Sequence, residues 1–131
     1  MKITDFINAD TIEKMREEIS EANGNEVFFR GVPDEAGVVS EVEVIARGNE
    51  YSVAALLNMM KKNEVIIHNH PSGVLLPSNA DISVSSGYGN SGGASYIVNN
   101  SVDDIYVIVP LKKQEKINID EYFGENGRIH E

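Results

Sequence analysis

Two histidines separated by one residue follow a short apolar run in the middle of the chain. His68 and His70 come directly after residues 65–67, which are typical of a strand buried on both faces. Because alternate residues of a strand point to the same face, the two imidazoles can be directed at one point. Imidazole is a common metal ligand, so this spacing indicates a shared metal site. In isolation, the pair is equally consistent with ordinary hydrogen-bonded polar residues.

The chain contains no cysteine, which excludes thiolate zinc clusters, thiol nucleophiles and disulfides. A catalytic zinc usually takes three protein ligands, so the third ligand here has to be His, Asp or Glu, and Asp81 is the candidate. Ser78 and Asp81 also match the S-x-x-[DE] capping box, which binds free amides at a helix N-terminus. For that short motif alone capping is the favoured interpretation, and the two roles are compatible.

The combined pattern is His68, one residue, His70, seven residues, Ser78, two residues and Asp81. It resembles the JAMM signature HxHx7SxxD of the MPN-type (JAB) zinc metalloproteases at every specified position. The Pro-Ser-Gly after the second histidine and the Pro-Ser before the aspartate resemble the prokaryotic branch, including its RadC-type variant. The resemblance implies a cytidine-deaminase-like, three-layer α/β (α+β) fold whose mixed sheet is flanked by helices. It also implies that His68, His70 and Asp81 bind Zn2+.

The activity implied by the resemblance is hydrolysis of a peptide or isopeptide bond. A water molecule on the zinc would be the nucleophile, with Ser78 as a hydrogen-bond donor near the tetrahedral intermediate and a glutamate as general base. Family members carry that glutamate at the start of the first strand after helix one, which here assigns Glu26. Glu43 and Glu64 stay as alternatives, because spacing alone does not choose among the three.

The elements that have to position these residues follow from the spacing of apolar residues and from turn signals. The predicted helices are residues 11–22, after a possible cap at Asp10, and residues 52–62. The predicted strands are residues 26–30, 38–46, 65–67, 94–98 and 105–109. The Ser- and Gly-rich residues 83–95 predict a short or frayed helix, or a loop. This order predicts a sheet packed by helices.

The length of 131 residues suits a single domain. Residues 1–111 are predicted to form a JAB/MPN domain, and residues 112–131 a polar C-terminal tail outside the core. The tail weakly resembles the junction between a JAB domain and a helicase, so a linker to a fused helicase domain is one interpretation. Among other residues, Asn69 and Ser72 are candidates to support the histidines, Met59 and Met60 are expected to fill the core, and His130 is expected at the surface.

A formal net charge of −10 disfavours binding to a nucleic-acid backbone. A protein or peptide substrate is the expected partner, and prokaryotic relatives suggest a ubiquitin-like or sulfur-carrier protein. The alternative function is a regulatory or binding MPN-type module within a larger DNA-repair or helicase protein. Because the chain shows no signal peptide and no apolar run of membrane-spanning length, we expect a cytoplasmic protein that does not bind membranes.

Overall fold

The structure of the protein is a computed structural model that describes residues 2–48, 53–61, 63–79, 81–82, 93–109 and 126–129. A short 3₁₀ helix, Ile3–Asp5, precedes the first α-helix. Within the described residues the α-helices are α1, Ala9–Glu21, and α2, Val53–Met59. The strands are β1, Val27–Pro33; β2, Val39–Arg47; β3, Val65–Asn69; β4, Ala94–Val98; β5, Ile105–Ile108; and β6, Asn126–Ile129.

The six strands form one sheet in the order β2-β1-β3-β4-β5-β6. Strands β3 and β4 pair in parallel, whereas the other neighbouring pairs are antiparallel. The mixed sheet confirms the predicted α/β fold class. Because β3 and β4 run parallel, both strands end at the same edge of the sheet. The antiparallel β1 begins at that edge, because Phe28 pairs with His68 near the end of β3.

Helix α1 begins two residues before the predicted helix. Its N-cap is Asn8, whose side chain accepts a hydrogen bond from the amide of Thr11 at 2.9 Å. The prediction of Asp10 as the cap was wrong, and Asp10 lies in the first turn, where a negative charge is favourable. The helix ends before Asn23 and Gly24, which both have positive φ angles, as helix termini often require.

Among the described residues, α1 and α2 pack on opposite faces of the sheet against buried apolar clusters of different size. The α1 face buries a large apolar cluster that includes Met15 and Ile19 from the helix and Phe29 and Ile67 from the sheet. On the α2 face, the buried apolar cluster of the described residues consists of Phe28, Leu56 and Ile66. Neighbouring residues of β1 and β3 thus alternate between the two cores, as the pleat requires. The result is a three-layer arrangement of helix, sheet and helix.

Residues 126–129, within the segment predicted to be a polar C-terminal tail (residues 112–131), form β6 and extend the sheet beyond β5. An edge strand needs little apolar surface, so the polar sequence gave no signal for it. Met59 does not fill the core, because 47% of it is exposed, whereas Met60 packs against the α2-face cluster.

The remaining predicted elements agree with the structure to within a few residues. The strand predicted at residues 94–98 is confirmed as β4, and that at 105–109 ends one residue earlier, at Ile108. The predictions for residues 83–92 and for His130 lie outside the described residues. None of the helices in the described parts of the chain has the length and hydrophobicity needed to cross a bilayer.

Candidate metal centre

Strand β3 extends through Asn69 and carries His68 within the sheet. His68 is buried, with 3% of its surface exposed, and its ring stacks on Phe28 with a centroid distance of 4.7 Å and an interplanar angle of 16°. Phe28 lies directly opposite His68 in the β1–β3 register. The Nε2 atoms of His68 and His70 are 3.2 Å apart. The two imidazoles therefore converge, as their spacing on a strand predicts.

His70 follows β3 and is held by the loop after it. Its amide donates to the carbonyl of Val98 at 2.8 Å, and its ring Nδ1 donates to the carbonyl of Val74 at 2.8 Å. The amide of Val74 in turn donates to the Ser72 hydroxyl at 3.2 Å. Since a carbonyl can only accept, Nδ1 carries a proton and Nε2 is directed towards His68. Ser72 thus supports His70 through the loop backbone.

Asp81 places one carboxylate oxygen against each histidine. Its Oδ1 lies 2.9 Å from Nε2 of His68, and its Oδ2 lies 2.8 Å from Nε2 of His70. Asp81 is buried, with 5% of its surface exposed. It also forms the predicted capping box: the Ser78 amide donates to Oδ2 at 2.8 Å, and the Asp81 amide donates to the Ser78 hydroxyl at 3.1 Å. The capping interaction and the contact with the histidines occur together.

Glu26 immediately precedes β1 and is half-buried at the same edge of the sheet. Ligand atoms of Glu26, His68 and His70 all lie within 4.8 Å of one another, a group that could hold a metal ion. The two alternative glutamates are instead paired with Arg30. Its guanidinium lies 3.0 Å from Glu43 and 3.6 Å from Glu64. The structure brings Glu26 to the histidines.

The titratable groups of this cluster shift one another. Burial raises the pKa of Asp81, but hydrogen bonds from His68 and His70 outweigh it and hold the pKa well below the ordinary range. The hydrogen bond to Asp81 raises the pKa of His70. Burial is the main reason why the pKa of Glu26 is raised, with the charge of Asp81 as a further cause. A glutamate with a raised pKa is suited to accept and return a proton near neutrality.

The donor set is one that could hold a metal ion. Two imidazole nitrogens and carboxylate oxygens point at one place, and such N and O donors are those that zinc accepts in the absence of cysteine. The lone pairs of two imidazole nitrogens that are 3.2 Å apart would repel each other unless one nitrogen carries a proton or both bind a cation. The donor atoms converge where a buried strand ends.

Other residues around the centre were not identified by the sequence patterns. Asn100 was not predicted at all, yet its side-chain oxygen accepts a hydrogen bond from Asn69 at 2.7 Å. Asn69 was expected to support the histidines, but its side chain binds the backbone on both sides of Glu26. The one available signal was the pair of asparagines at positions 99 and 100, between the strands predicted at residues 94–98 and 105–109.

Comparison with known proteins places these residues in a family context. The sequence profile of the RadC-like JAB domain matches residues 7–94, more than half of the chain, and this range contains Glu26, His68, His70, Ser78 and Asp81. Two UPF0758 proteins of Vibrio vulnificus, VV0285 of strain YJ016 and VV1_0825 of strain CMCP6, are each 44% identical over 57 residues. The matched segment is 44% of this chain and 21% of each relative, so it spans about a fifth of their length.

Proposed function

This chain belongs to the RadC-like JAB domain family, an MPN-type module, and on that premise we propose that it is a zinc-dependent hydrolase of peptide or isopeptide bonds. The observation that carries the proposal is the convergence of His68, His70 and Asp81, with Nε2–Oδ distances of 2.9 and 2.8 Å, beside the half-buried Glu26. Clusters of this kind, with perturbed pKa values, are typical of functional sites.

In the proposed mechanism, His68, His70 and Asp81 would hold the metal. Zinc, when bound, would supply Lewis acidity that polarises a scissile carbonyl and lowers the pKa of a water molecule to about 7. Stacking of His68 on Phe28 and the bond from His70 Nδ1 to Val74 orient both imidazoles before any ligand arrives. Such outer contacts fix the ring orientation and the tautomer of metal-binding histidines.

Glu26 is proposed as the general base. It accepts the proton of the attacking water and then donates that proton to the leaving amine nitrogen. Its raised pKa lies closer to neutrality than that of an exposed glutamate, which makes both transfers easier. Glu43 and Glu64 are less suited to the role, because each is paired with the Arg30 guanidinium.

Ser78 is proposed to stabilise the developing oxyanion. Its hydroxyl oxygen accepts the Asp81 amide at 3.1 Å, so the hydroxyl proton can still be donated to a substrate oxygen. Ser78 is exposed, which a substrate contact requires. A positioned donor of this type contributes to catalysis only as charge develops on the oxygen.

The substrate is proposed to be a protein or peptide, with the C-terminus of a ubiquitin-like or sulfur-carrier protein as the first candidate. The formal net charge of −10 favours a partner surface of basic character and disfavours nucleic acid. Complementary charge would mainly raise the rate of association.

Metal content tests the first part of the proposal. Protein purified without chelators is expected to contain one zinc per chain by inductively coupled plasma mass spectrometry. His68→Ala should lose the metal. The control His130→Ala, which removes a histidine that the sequence predicts at the surface, should retain the metal. Wild-type protein without bound metal, which also fails to take up added zinc, would contradict the proposal.

Hydrolysis tests the second part. A ubiquitin-like protein with a fluorophore linked to its C-terminus by an amide bond serves as the probe. Glu26→Gln should keep the metal and lose about 10²- to 10⁴-fold in rate, the usual contribution of a general base. The matched control is Glu43→Gln, which is expected to keep the wild-type rate. If Glu43→Gln instead loses the activity and Glu26→Gln retains it, the assignment of the base is wrong.

The alternative function is a regulatory or binding module within a larger DNA-repair or helicase protein. It is favoured by one observation, namely that the matched segment spans only 21% of the related proteins. Binding of duplex DNA across a salt series distinguishes the two functions, because backbone binding weakens steeply with salt. Tight, salt-sensitive DNA binding by a chain that holds no metal would support the module.

A further inference from the structure

Three elements meet at the edge of the sheet beside the candidate metal centre. The parallel strands β3 and β4 end there, and the antiparallel β1 begins there after the turn that follows α1. Asn69 is the last residue of β3, and Asn100 lies two residues after β4. Asn69 is fully buried, and Asn100 is half-buried.

The side chain of Asn69 binds both peptide groups that flank Glu26. Its Oδ1 accepts the amide of Val27 at 2.7 Å, and its Nδ2 donates to the carbonyl of Asn25 at 3.2 Å. The carbonyl of Glu26 itself accepts the amide of Gly48 at 2.7 Å. The backbone of Glu26 is therefore held on both sides by one side chain of β3, the strand that carries His68.

Asn100 completes this network. Its Oδ1 accepts from Nδ2 of Asn69 at 2.7 Å, and its own Nδ2 donates to the carbonyl of Gly24 at 3.0 Å. Gly24 has a φ of +76°, and a Cβ there would lie 3.1 Å from the side-chain Nδ2 of Asn100. Glycine thus permits both the turn and the close approach of Asn100.

We propose that Asn69 and Asn100 are positioning residues that hold Glu26 at its distance from His68 and His70. Because side chains alternate along a strand, Asn69 points away from the face that carries the two histidines. Its side chain links residues 68–70 to the backbone of Glu26. The inference rests on the proposed function, because Glu26 needs a fixed position only if it acts as the general base. It assigns to Asn100 a role through Glu26 and no contact with substrate.

The test uses the full chain loaded with Co2+, whose visible absorption reports the metal environment. The pH dependence of that absorption is measured between about pH 5.5 and 9. Glu26→Gln is expected to move the pH midpoint of the absorption change by about 0.5 to 1 pH unit, because the substitution removes a carboxylate near the metal. Asn100→Ala should move the midpoint in the same direction, and the double variant should move it no further than Glu26→Gln alone.

Asn99→Ala is the matched control. The Asn99 side chain binds Asp103 and Asp104 in the adjacent turn and makes none of the contacts with the Glu26 segment described above. It should destabilise the turn and leave the midpoint unchanged. A wild-type midpoint in Asn100→Ala, or an equal shift in Asn99→Ala, would overturn the positioning role.

Hydrogen exchange separates this inference from the proposed function. If the wild-type chain binds no cobalt, the metal site is wrong, and amide exchange then decides the positioning role alone. In Asn100→Ala the Val27 amide should exchange about 10-fold faster relative to the Ile66 amide, because its acceptor Asn69 is less firmly held. An unchanged ratio would exclude it.

Discussion

On the α1 face of the sheet, Phe29 and Ile67 are buried in a large apolar cluster, whereas their neighbours Phe28 and Ile66 share a small cluster with Leu56 on the α2 face. The small cluster borders the polar centre, since His68 stacks on Phe28. The two faces of the sheet therefore have different roles in the domain. Among the described residues, the larger apolar area is buried on the α1 face, where burial stabilises the fold, whereas the α2 face also carries buried polar groups at its edge.

The largest expected effect distinguishes adjacent residues of β1. Phe29→Ala is expected to lower the free energy of unfolding by about 3–5 kcal/mol, because it leaves a cavity in the larger core. The two leucine substitutions are milder. Phe29→Leu should leave the zinc affinity within about twofold of the wild type. Phe28→Leu should weaken the zinc affinity by about 10- to 100-fold, because it removes the stacking contact with His68. Urea unfolding and competition with a zinc chelator measure the two quantities.

Equal zinc affinity in the two leucine variants would contradict this division of the sheet. It would mean that His68 is oriented without help from Phe28.

The next effect is the pH dependence of the metal-free chain. The pKa of His70 is raised above its ordinary value of 6.5, so its stabilising contribution is present below pH 6.5 and is lost as pH rises through the folded-state value. The pKa of Glu26 is also raised, which lowers stability as pH rises above 4.5. The lowered pKa of Asp81 stabilises above pH 3.8, and this contribution is lost as pH falls further. The metal-free chain should therefore be most stable in mildly acidic solution.

Urea unfolding in the presence of a chelator, at intervals from pH 4 to pH 9, measures this profile. Asp81→Asn should flatten the decline above pH 6.5, whereas Phe29→Leu, on the other face, should lower the whole curve and keep its slope. Added zinc should reverse the slope near neutrality, because metal binding requires neutral imidazoles. A metal-free profile that rises steadily from pH 6 to pH 9 would show that these shifts do not control stability.

The smallest effect concerns the polar contacts of the α1 face. Arg47 of β2 pairs with Glu18 of α1 at 3.2 Å, with 44% and 24% of the side chains exposed. Arg47→Gln should lower the free energy of unfolding by less than about 1 kcal/mol, because exposed ion pairs are screened by water and salt. Ile19→Ala on the same helix should cost about 2–5 kcal/mol, since Ile19 is buried.

Urea unfolding of both variants tests whether apolar contacts attach α1 to the sheet. A loss above about 2 kcal/mol in Arg47→Gln would assign more of that attachment to charge than exposed pairs normally contribute.

Much of the fold could be predicted because helix and strand periods are local. Ile12, Met15 and Ile19 mark α1 by their spacing, and the apolar run before His68 marks β3. Strand β6 could not be predicted, because it pairs at the edge of the sheet and contains no apolar run. The predicted cap of α1, Asp10, lies two residues after the observed cap, Asn8, because both residue types are favourable caps and the sequence alone does not rank them.

The sequence by itself predicted two local pairs of the site, because His68 and His70 are two residues apart at the end of a strand and Ser78 and Asp81 are three residues apart in one capping box. These relations depend on spacing of a few residues. Only the tertiary structure decided that Glu26 lies beside them while Glu43 and Glu64 pair with Arg30.

The same is true of the network around Glu26. Asn69 and Asn100 are 31 residues apart, and Asn100 and Gly24 are 76 residues apart. They meet because the antiparallel β1 begins at the edge where the parallel β3 and β4 end. Strand order, which no local pattern encodes, thus brings Glu26, the proposed general base, to the proposed metal ligands.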